Sequence, residues 1–585
     1  MDAFARRLAW IALGGLFVLL LCHQWFGPDI WYHLYLGGRI LQTASVQPTD
    51  HLILHQASYV NTYWLFQIAV RGLFALGGIY AVSLFFLALW AVALGAWLAT
   101  TGLRRTGAGA AAAALAAVLM CQTRFEQRPE VLSYVFLALQ IFWLTAGKLE
   151  SGDLKSWLGF LAVQVAWTNV HGYFALGPLL VGAKLAASLL SSAVPAHRRR
   201  LAGLFALTLL ATLASPFGWR NWEEVAVLAR FFRQMHHSVQ EFLPPTQVPA
   251  FVWGIQIFEV YWWAILIGGF AVALRAARRE AFTLLLAALG LVLGMAAQRN
   301  IPLLVFLSAP LLAALGPVLA RFRPPGLATA AALAGASLLL AASVVSGHFY
   351  RPTGGVPGFG IGESRYAYPV LFCDYLPASG FSGSIFNNPG DGGYLEFHFP
   401  ALRLYADTRF VEAAPIREYF AAVAQPAAFA LLEQRQHFDA LLLRVADSPY
   451  VVSHWLRQPG WKLAYADLHR AFLVNRHTEG GESAISQRPR FYAGEDLAVP
   501  VNGASATAWT GILVLSENRP YLRLALEQYS AAPAVPSGLV KFALEFGRGH
   551  SDPEILSLTK ALRPRMLPTP ANEAKAIDRL IQAPP

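Results

Sequence analysis

Long apolar runs set the first limit on what this chain can fold into. Stretches of about 20 apolar residues recur through roughly the first 350 residues, and an α-helix needs a stretch of that length to cross the hydrocarbon core of a bilayer. Only 14% of the residues are charged, whereas a soluble domain carries about 25%. The sequence therefore predicts a polytopic α-helical membrane protein.

The positions of these runs predict about eleven transmembrane helices, which form a membrane domain over residues 1–347. The runs at 107–121 and 157–171 are short, so the ends of these two helices are the least defined. The predicted spans are residues 8–26, 79–101, 107–121, 131–147, 157–171, 173–193, 200–216, 251–274, 282–297, 301–320 and 326–347.

The formal net charge of +11 is explained better by membrane topology than by nucleic-acid binding. The basic residues cluster between alternate spans, and the positive-inside rule keeps such loops in the cytoplasm. With a cytoplasmic N-terminus every cluster falls on that side, so we expect no nucleic-acid partner. The clusters are Arg6-Arg7, Arg104-Arg105, Lys148 with Lys155, Arg198 to Arg200, Arg275 to Arg279, and Arg321 with Arg323.

The opposite face then receives a long first outer loop over residues 28–78. Its segment 63–71 is amphipathic and is either a helix lying in the membrane interface or the start of a longer tilted span. We favour the interfacial helix, because a second crossing there would break the alternation of sides. The other outer segments are 122–130, 171–172, 217–250, 299–300 and the chain after about residue 348.

Residues 348–585 differ in character from the membrane domain. Glycine and proline become frequent, and short β-type runs at 384–386, 402–405 and 441–445 alternate with helical stretches such as 412–436. Residues 461–474 read as a strand pair that turns near 467–468, and the last stretch, about 518–580, is helical. This alternation predicts an extramembrane α/β domain with a helical C-terminal tail, on the same side as the outer loops; the resemblance described below makes that side the periplasm.

Asp29 is the first candidate for chemistry, because it follows the first span in the segment PDIWYHL at residues 28–34. A carboxylate in hydrocarbon costs roughly 2.5–3.5 kcal/mol at a helix centre, so one at the rim of a membrane cavity is a candidate for function. Asp29 could act as a general base on an acceptor hydroxyl. The structural alternative is an N-cap for a helix that begins at Ile30.

Two further candidates lie in the same outer loop. Asp50 follows a Pro-Thr pair and is either a second catalytic carboxylate or the cap of a turn. His33 follows the aromatic residues of the segment 28–34 and is a candidate substrate contact.

The loop QTRFEQRPE at residues 122–130 places two arginines within five residues of each other. Arg124 and Arg128 could clamp a phosphate or pyrophosphate bidentately, with Glu126 as a further substrate contact. Alternatively, both arginines anchor the interface and pair with Glu126 and Glu130. Arginine on this side of the membrane runs against the topological bias, which favours a functional role.

His171 and Arg299 complete the predicted substrate-binding residues. His171 ends a span in the segment WTNVHG at residues 167–172 and either contacts a phosphate, shuttles a proton or plays a structural, hydrogen-bonded role. Arg299 lies in a turn between two spans with little room for solvent, so it requires an anion or a carboxylate partner. The outer segments also carry acids to which we assign no role, among them Glu223, Glu224, Glu241 and Glu259.

Recognised cofactor motifs are missing from the sequence. It contains no metal-type histidine pair, P-loop, nucleotide fingerprint or nucleophile elbow in a suitable context, and its three cysteines lack metal-ligand spacing. We therefore expect no cofactor, and nothing in the sequence indicates a divalent metal. The Gly-rich segment GDGG at residues 390–393 is expected to turn a strand into a helix.

Taken together, these parts resemble the GT-C superfamily of polytopic glycosyltransferases, which use polyprenyl-phosphate-linked sugars on the outer side of the membrane. The resemblance rests on Asp29 after the first span, the long first outer loop, the segment WTNVHG and Arg299. The segments FNNPGDGGYL (386–395) and LYADTR (404–409) resemble the region after the last spans in a large bacterial group with this architecture.

Two departures from the family pattern stand out. Members that resemble protein mannosyltransferases and aminoarabinose transferases carry an Asp-Glu pair after the first span, whereas Ile30 follows Asp29 here. Members related to oligosaccharyltransferase use further acidic motifs for a divalent metal, and this chain has no clear equivalent.

The resemblance implies a bacterial inner-membrane glycosyltransferase. A lipid-linked sugar would be held through its phosphate by Arg124, Arg128, Arg299 or His171, and an acceptor hydroxyl near Asp29 would attack the anomeric carbon with inversion. The expected partners are this donor, membrane lipids and a glycan, lipid or protein acceptor. Two alternatives are a non-catalytic subunit of an envelope polysaccharide assembly system and a lipid-linked glycan transporter, although a transporter would carry charged or broken spans near the midplane.

Overall fold

A computed structural model describes residues 2–47, 60–102, 108–190, 195–248, 253–319, 326–353, 357–409, 413–478, 490–491 and 500–582. The candidate Asp50 lies outside these residues. The described chain falls into two compact units. The first unit comprises Met1–Pro48, Tyr59–Thr353 and Gly358–Gly362, and the second unit is mainly Glu363–Pro585.

The described part of the first unit consists mainly of α-helices. In chain order they are α1 (Asp2–Leu21), α2 (Asp29–Thr43), α3 (Trp64–Thr101), α4 (Ala108–Cys121), α5 (Glu130–Thr145), α6 (Lys148–Ser151), α7 (Leu154–Thr168), α8 (Leu176–Leu190), α9 (Pro195–Ala211), α10 (Arg220–Met235), α11 (Trp253–Ala276), α12 (Ala281–Ala296), α13 (Ile301–Leu307), α14 (Ala309–Leu319) and α15 (Gly326–Val345).

Five helical segments in the described part of the chain are long and apolar enough to cross a membrane, and a sixth is added if the bent pair α13–α14 is one span. The chain is therefore a membrane protein, as its composition predicts. The predicted total of about eleven spans also includes shorter apolar helices and stays a prediction. The five segments are Phe4–Leu21, Trp64–Thr101, Gly172–Leu190, Gln256–Ala276 and Leu327–Val345.

Helix α3 is interrupted at a glycine pair. Gly77 and Gly78 leave the helical conformation, and Gly78 has φ 55°, a value that glycine adopts without steric cost. Residues 64–76 are thus a helical piece separate from 79–101, which is where the sequence predicted the span to begin. The interfacial position of the first piece stays a prediction.

Prolines define the helix starts that carry the candidate residues. Pro28 and Pro129 directly precede α2 and α5, whose first turns contain Asp29 and Glu130. Pro302 lies at the start of α13, just after Arg299. Proline is favoured at helix starts because its φ is already helical and it has no N–H to leave unpaired. A carboxylate in a first turn also interacts favourably with the helix dipole.

The second unit contains a five-stranded sheet in the order β2-β1-β3-β5-β4. Strand β1 is parallel to β2 and β3, whereas β5 is antiparallel to β3 and β4. The strands are β1 (Ser384–Asn387), β2 (Arg403–Leu404), β3 (Ala440–Arg444), β4 (Trp461–Ala466) and β5 (Arg470–Asn475). The predicted α/β architecture and the strand pair at 461–474 are confirmed.

Helices surround this sheet and form the C-terminal tail. The helical stretch predicted at 412–436 is divided in two at Gln425, because Pro426 begins a new helix there. The helices are α16 (Val370–Ser379), α17 (Pro389–His398), α18 (Ala413–Ala424), α19 (Pro426–Gln436), α20 (Pro449–Leu456), and then Pro500–Leu515, Arg519–Tyr529, Ser537–Gly549, Pro553–Leu562 and Ala571–Gln582.

The central strand β3 is covered on both faces. Leu441 and Leu443 belong to one apolar cluster, whereas Ala440 and Leu442 belong to another. Successive side chains of a strand point to opposite faces, so this alternation places the two clusters on either side of the sheet.

A buried charge network lies at one end of the strands, where β1 and β3 finish and β5 starts. Asp391 accepts hydrogen bonds from Arg470 Nε (3.0 Å) and Nη2 (2.8 Å) and from Arg444 Nη2 (3.1 Å). The three residues meet because β1 and β3 end, and the antiparallel β5 begins, there. Asp391 lies in the first turn of α17, so the Gly-rich segment turns a strand into a helix as predicted.

Candidate functional site

Seven charged side chains from separate segments of the first unit meet in what we call the arginine–carboxylate cluster. Its members come from the start of α2, the loop between α4 and α5, the start of α5, the turn after α10 and the turn before α13. Three arginines face four carboxylates, so the formal charge is −1. The members are Asp29, Arg124, Glu126, Arg128, Glu130, Glu241 and Arg299.

Arg128 connects three of the four carboxylates. Its Nη1 lies 3.2 Å from Asp29 Oδ2 and 3.2 Å from Glu241 Oε2. Its Nε donates a hydrogen bond to Glu126 Oε2 at 2.7 Å. The N-cap interpretation of Asp29 is wrong, because α2 already includes Asp29 and its N-cap position is Pro28.

Arg299 connects the turn before α13 to two other segments. Its Nη1 donates to Glu241 Oε1 (3.1 Å) and its Nη2 to Glu130 Oε2 (3.2 Å). The guanidinium also lies over the ring of Phe242, 5.4 Å from the ring centre. The requirement for an anionic partner, predicted from the confined turn, is met here by two carboxylates of the chain itself.

Arg124 belongs to the buried part of the cluster. Its Nε donates to Glu130 Oε1 at 2.5 Å and its Nη1 to Glu241 Oε2 at 3.0 Å. The side chain of Arg124 is 5% exposed and that of Glu130 is 2% exposed. Both arginines of the loop 122–130 therefore pair with Glu126 or Glu130, as the anchoring alternative predicts, while Arg128 reaches Asp29 as well.

The cluster has a buried floor and an accessible edge. The side chains of Asp29 and Arg128 are 18% and 15% exposed, and those of Arg299 and Glu241 are 20% and 27% exposed. A ligand approaching the cluster would meet these four groups before it met Arg124 or Glu130. Two opposite charges are available to it at once, a carboxylate that can accept a proton and guanidinium groups that can bind a phosphate.

Glu241 holds the cluster together, and sequence reasoning gave it no role. It contacts all three arginines. Burial by itself would raise the pKa of Glu241, but the facing Arg299, Arg128 and Arg124 outweigh it and hold this pKa far below its ordinary value. Its position in the outer segment 217–250 was the one signal the sequence offered, since no motif surrounds it.

The arrangement does not fit a metal ion. Among the residues that the structure describes, no group of three His, Cys, Asp or Glu side chains is placed to ligate one. Each carboxylate of the cluster faces a guanidinium at ion-pair distance, and metal coordination would require those oxygens to be released.

His171 lies beside the cluster, in the turn after α7. Its Nδ1 is 2.9 Å from Ser133 Oγ and accepts a hydrogen bond from the backbone N–H of Tyr173 at 3.3 Å. Burial, with Arg299 and Arg124 nearby, lowers the pKa of His171 to about 3 even though Glu130 acts in the opposite direction. This environment favours the neutral imidazole, and the predicted roles of His171 as a phosphate contact or a proton shuttle stay predictions.

His33 lies in an aromatic environment. It is fully buried, with its ring 5.5 Å from that of Tyr63 and 5.0 Å from that of Phe66. Its Nδ1 lies 3.4 Å from Gln67 Nε2. His33 thus lies among aromatic rings and an amide of its own unit, and its role as a substrate contact stays a prediction.

Another buried acid, Glu224, lies on the inner face of α10. It is 5% exposed and accepts a hydrogen bond from the backbone N–H of Val60. Burial raises the pKa of Glu224 to about 7. Sequence reasoning placed this acid on the outer face and gave it no role, because the adjacent acids Glu223 and Glu224 look equivalent until the helix orients them.

Comparisons with known proteins show similarity at the level of fold. No family model and no curated protein matches the sequence. Solved structures of the Archaeoglobus fulgidus oligosaccharyltransferase are similar to 76% of the chain. The apo form has a TM-score of 0.48, 10% identity and 71% of its own chain covered. A form tethered with an acceptor peptide has a TM-score of 0.46 at 12% identity, with 69% of its own chain covered.

A third structure of this enzyme is that of archaeal oligosaccharyltransferase AglB in complex with an inhibitory peptide and a dolichol-phosphate. Its TM-score is 0.50 at 10% identity, with 69% of its chain covered. The comparison therefore supports a shared fold with this archaeal oligosaccharyltransferase.

Proposed function

We propose that this chain is a membrane glycosyltransferase that transfers a sugar from a polyprenyl-phosphate-linked donor to an acceptor on the periplasmic face of a bacterial inner membrane. The observation that carries the proposal is the convergence of Asp29, Arg128 and Arg299 at the accessible edge of one cluster. A structure of the similarly folded AglB contains a dolichol-phosphate, which supports a lipid-linked donor.

The chemistry we propose follows from the charges of the cluster. The acceptor oxygen attacks the anomeric carbon from the side opposite the donor phosphate, and its proton passes to Asp29. The bond between the anomeric carbon and the phosphate oxygen breaks, and polyprenyl phosphate leaves with the electron pair. Arg128 and Arg299 stabilise the negative charge that develops on this phosphate, which is most effective where the cations are already fixed in place.

The internal ion pairs set a condition on this mechanism. Arg128 and Arg299 already bind carboxylates, so a donor phosphate has to share their guanidinium groups with Glu241 or displace it. Arginine has five N–H donors and can bind more than one oxyanion. Asp29 lies 3.2 Å from Arg128 Nη1, so the proposed base and one of the proposed phosphate ligands are already in contact.

The direct test is a transfer assay on the purified chain in lipid, with polyprenyl-phosphate sugars as donors. The wild-type chain is expected to release polyprenyl phosphate, and Asp29→Asn to lower turnover by about 100-fold to 10,000-fold, the usual contribution of a general base. Glu223→Gln, an exposed acid outside the cluster, is the matched control and should leave turnover unchanged. Full activity of Asp29→Asn would contradict the role assigned to this carboxylate.

A second candidate function is a non-catalytic subunit of an envelope polysaccharide assembly system. The internal pairing of all three arginines favours it, since such pairing also serves purely to hold segments together. In that case the chain would bind lipid-linked glycan without turnover, and Asp29→Asn would be tolerated.

A further inference from the structure

A directed chain of hydrogen bonds reaches the ring of His171. The indole Nε1 of Trp167 donates to Ser133 Oγ at 2.8 Å, and Ser133 Oγ lies 2.9 Å from His171 Nδ1. The backbone N–H of Tyr173 donates to the same Nδ1 at 3.3 Å. Trp167 and Ser133 are 0% and 1% exposed, so no bulk solvent competes for these bonds.

The directions of these bonds determine where the imidazole proton lies. A backbone N–H and an indole N–H can only donate. His171 Nδ1 therefore presents a lone pair to Tyr173, and Ser133, which already accepts from Trp167, donates its own hydrogen to that nitrogen. A neutral imidazole with an unprotonated Nδ1 carries its proton on Nε2.

We propose that Ser133 and Trp167 are positioning residues that hold His171 as a neutral Nε2–H donor for an oxygen of the lipid-linked phosphate. This inference rests on the proposed function for the identity of the ligand. Because Nδ1 is engaged by two donors, Nε2 is the ring atom left to contact a ligand, and it can only donate. His171 then acts neither as a cation nor as a proton acceptor.

The surroundings of the ring support this assignment. Ser133 belongs to α5 and Trp167 to α7, so both partners are fixed by helices rather than by a loop. Burial and the charges of Arg299 and Arg124 all disfavour an imidazolium, whereas Glu130 alone favours it. A neutral donor beside a cluster that already holds three guanidinium groups adds a hydrogen bond without adding a further buried charge.

The ring state can be measured directly by nitrogen NMR of the full chain in lipid with ¹⁵N-labelled histidine, the His171 signal being assigned by its loss in His171→Gln. We expect a protonated Nε2 and an unprotonated Nδ1 near neutral pH. Ser133→Ala should let the ring populate the other tautomer, whereas Ser188→Ala, a buried serine on α8, should not change the signal. An Nδ1-protonated or doubly protonated ring in the wild-type chain would overturn the proposal.

Ligand contact is tested by binding of polyprenyl phosphate to two variants of the same residue. The amide nitrogen of glutamine can take the place of Nε2, whereas that of asparagine is too short to reach it. We expect His171→Gln to bind within about threefold of the wild-type chain, and His171→Asn to bind about 10-fold to 100-fold more weakly, as for a lost hydrogen bond to a charged group. Equal binding by both variants would overturn the ligand contact.

Failure of this inference and failure of the proposed function give different results. If the chain binds polyprenyl phosphate but transfers no sugar, the transferase proposal fails while the role of His171 stands. If Asp29-dependent transfer occurs in a chain whose His171 carries its proton on Nδ1, the present inference fails and the transferase stands.

Discussion

Asp29 Oδ2 lies 3.2 Å from Nη1 of Arg128, which joins the start of α2 to the loop between α4 and α5. The same guanidinium binds Glu126 and Glu241. Asp29, at the accessible edge of the proposed site, is therefore not an isolated carboxylate but one end of a network. Substitution of any member should change both the free energy of unfolding and the affinity for a ligand, and the two effects can be measured separately.

Removal of Arg299 should destabilise the first unit strongly. Arg299→Gln leaves Glu130, which is 2% exposed, and Glu241 with one fewer cation each. Breaking one side of a buried ion pair costs about 3–5 kcal/mol, because the remaining charge stays buried. Thermal unfolding in detergent should show this loss, and adding Glu241→Gln to the same chain should recover part of it.

The matched control for that experiment is Arg230→Gln. Arg230 is an exposed residue of α10, and substitutions at such positions change stability by less than about 0.5 kcal/mol. If Arg299→Gln unfolded at the same temperature as Arg230→Gln, the network would not hold these segments together.

Glu224 should make the stability of the chain depend on pH in a defined direction. Its pKa is raised from 4.5 to about 7 by burial, so between these values the folded chain holds a proton that the unfolded chain has released. Stability therefore falls as pH rises through this window, by at most about 3 kcal/mol. Glu224→Gln should remove the fall and be more stable than the wild-type chain at pH 8.

The neighbouring Glu223 supplies the control, because its side chain is 48% exposed. Unfolding midpoints of Glu223→Gln and the wild-type chain should follow the same pH curve. A Glu224→Gln curve that also followed the wild type would show that Glu224 is ionised and solvated in the folded chain.

Asp391 should be essential to the second unit. Its carboxylate is fully buried and binds Arg470, which is 1% exposed. Asp391→Asn would leave that guanidinium without its counter-charge, at a cost of about 3–5 kcal/mol. Proteolysis at rising temperature should therefore cleave the second unit of Asp391→Asn well before that of the wild type. The exposed Asp374→Asn should behave as the wild type does, and an Asp391→Asn as resistant as Asp374→Asn would contradict the prediction.

Much of the fold was predictable from local patterns. The apolar runs located most helices of the first unit, although α2 and α10 lie in segments predicted as outer loops, and the strands β1 to β5 form where β-type runs predicted them. These features are visible because hydrophobic periodicity and turn residues act over a few positions. The number of membrane crossings is harder to predict from the sequence, because helices such as Ala281–Ala296 are apolar but short.

The site was predictable only in part, because its partners are far apart in sequence. Asp29, Arg128 and Arg299 could be selected from their position between spans. Glu241 could not be distinguished from other outer acids, although it is separated from Arg128 by 113 residues and binds it directly. His33 was selected for its neighbours in the sequence, and helix α2 places it in a buried aromatic environment that the sequence did not predict.

Binding of polyprenyl phosphate to the purified chain tests the central claim most directly. We expect saturable binding that weakens at least about 10-fold in Arg128→Gln, since one charge-assisted hydrogen bond contributes about 1.5–3 kcal/mol. Arg220→Gln, an exposed arginine of α10 outside the cluster, should bind as the wild type does. Equal affinity in the wild-type chain, Arg128→Gln and Arg220→Gln would show that the arginine–carboxylate cluster is not the site of a lipid-linked phosphate.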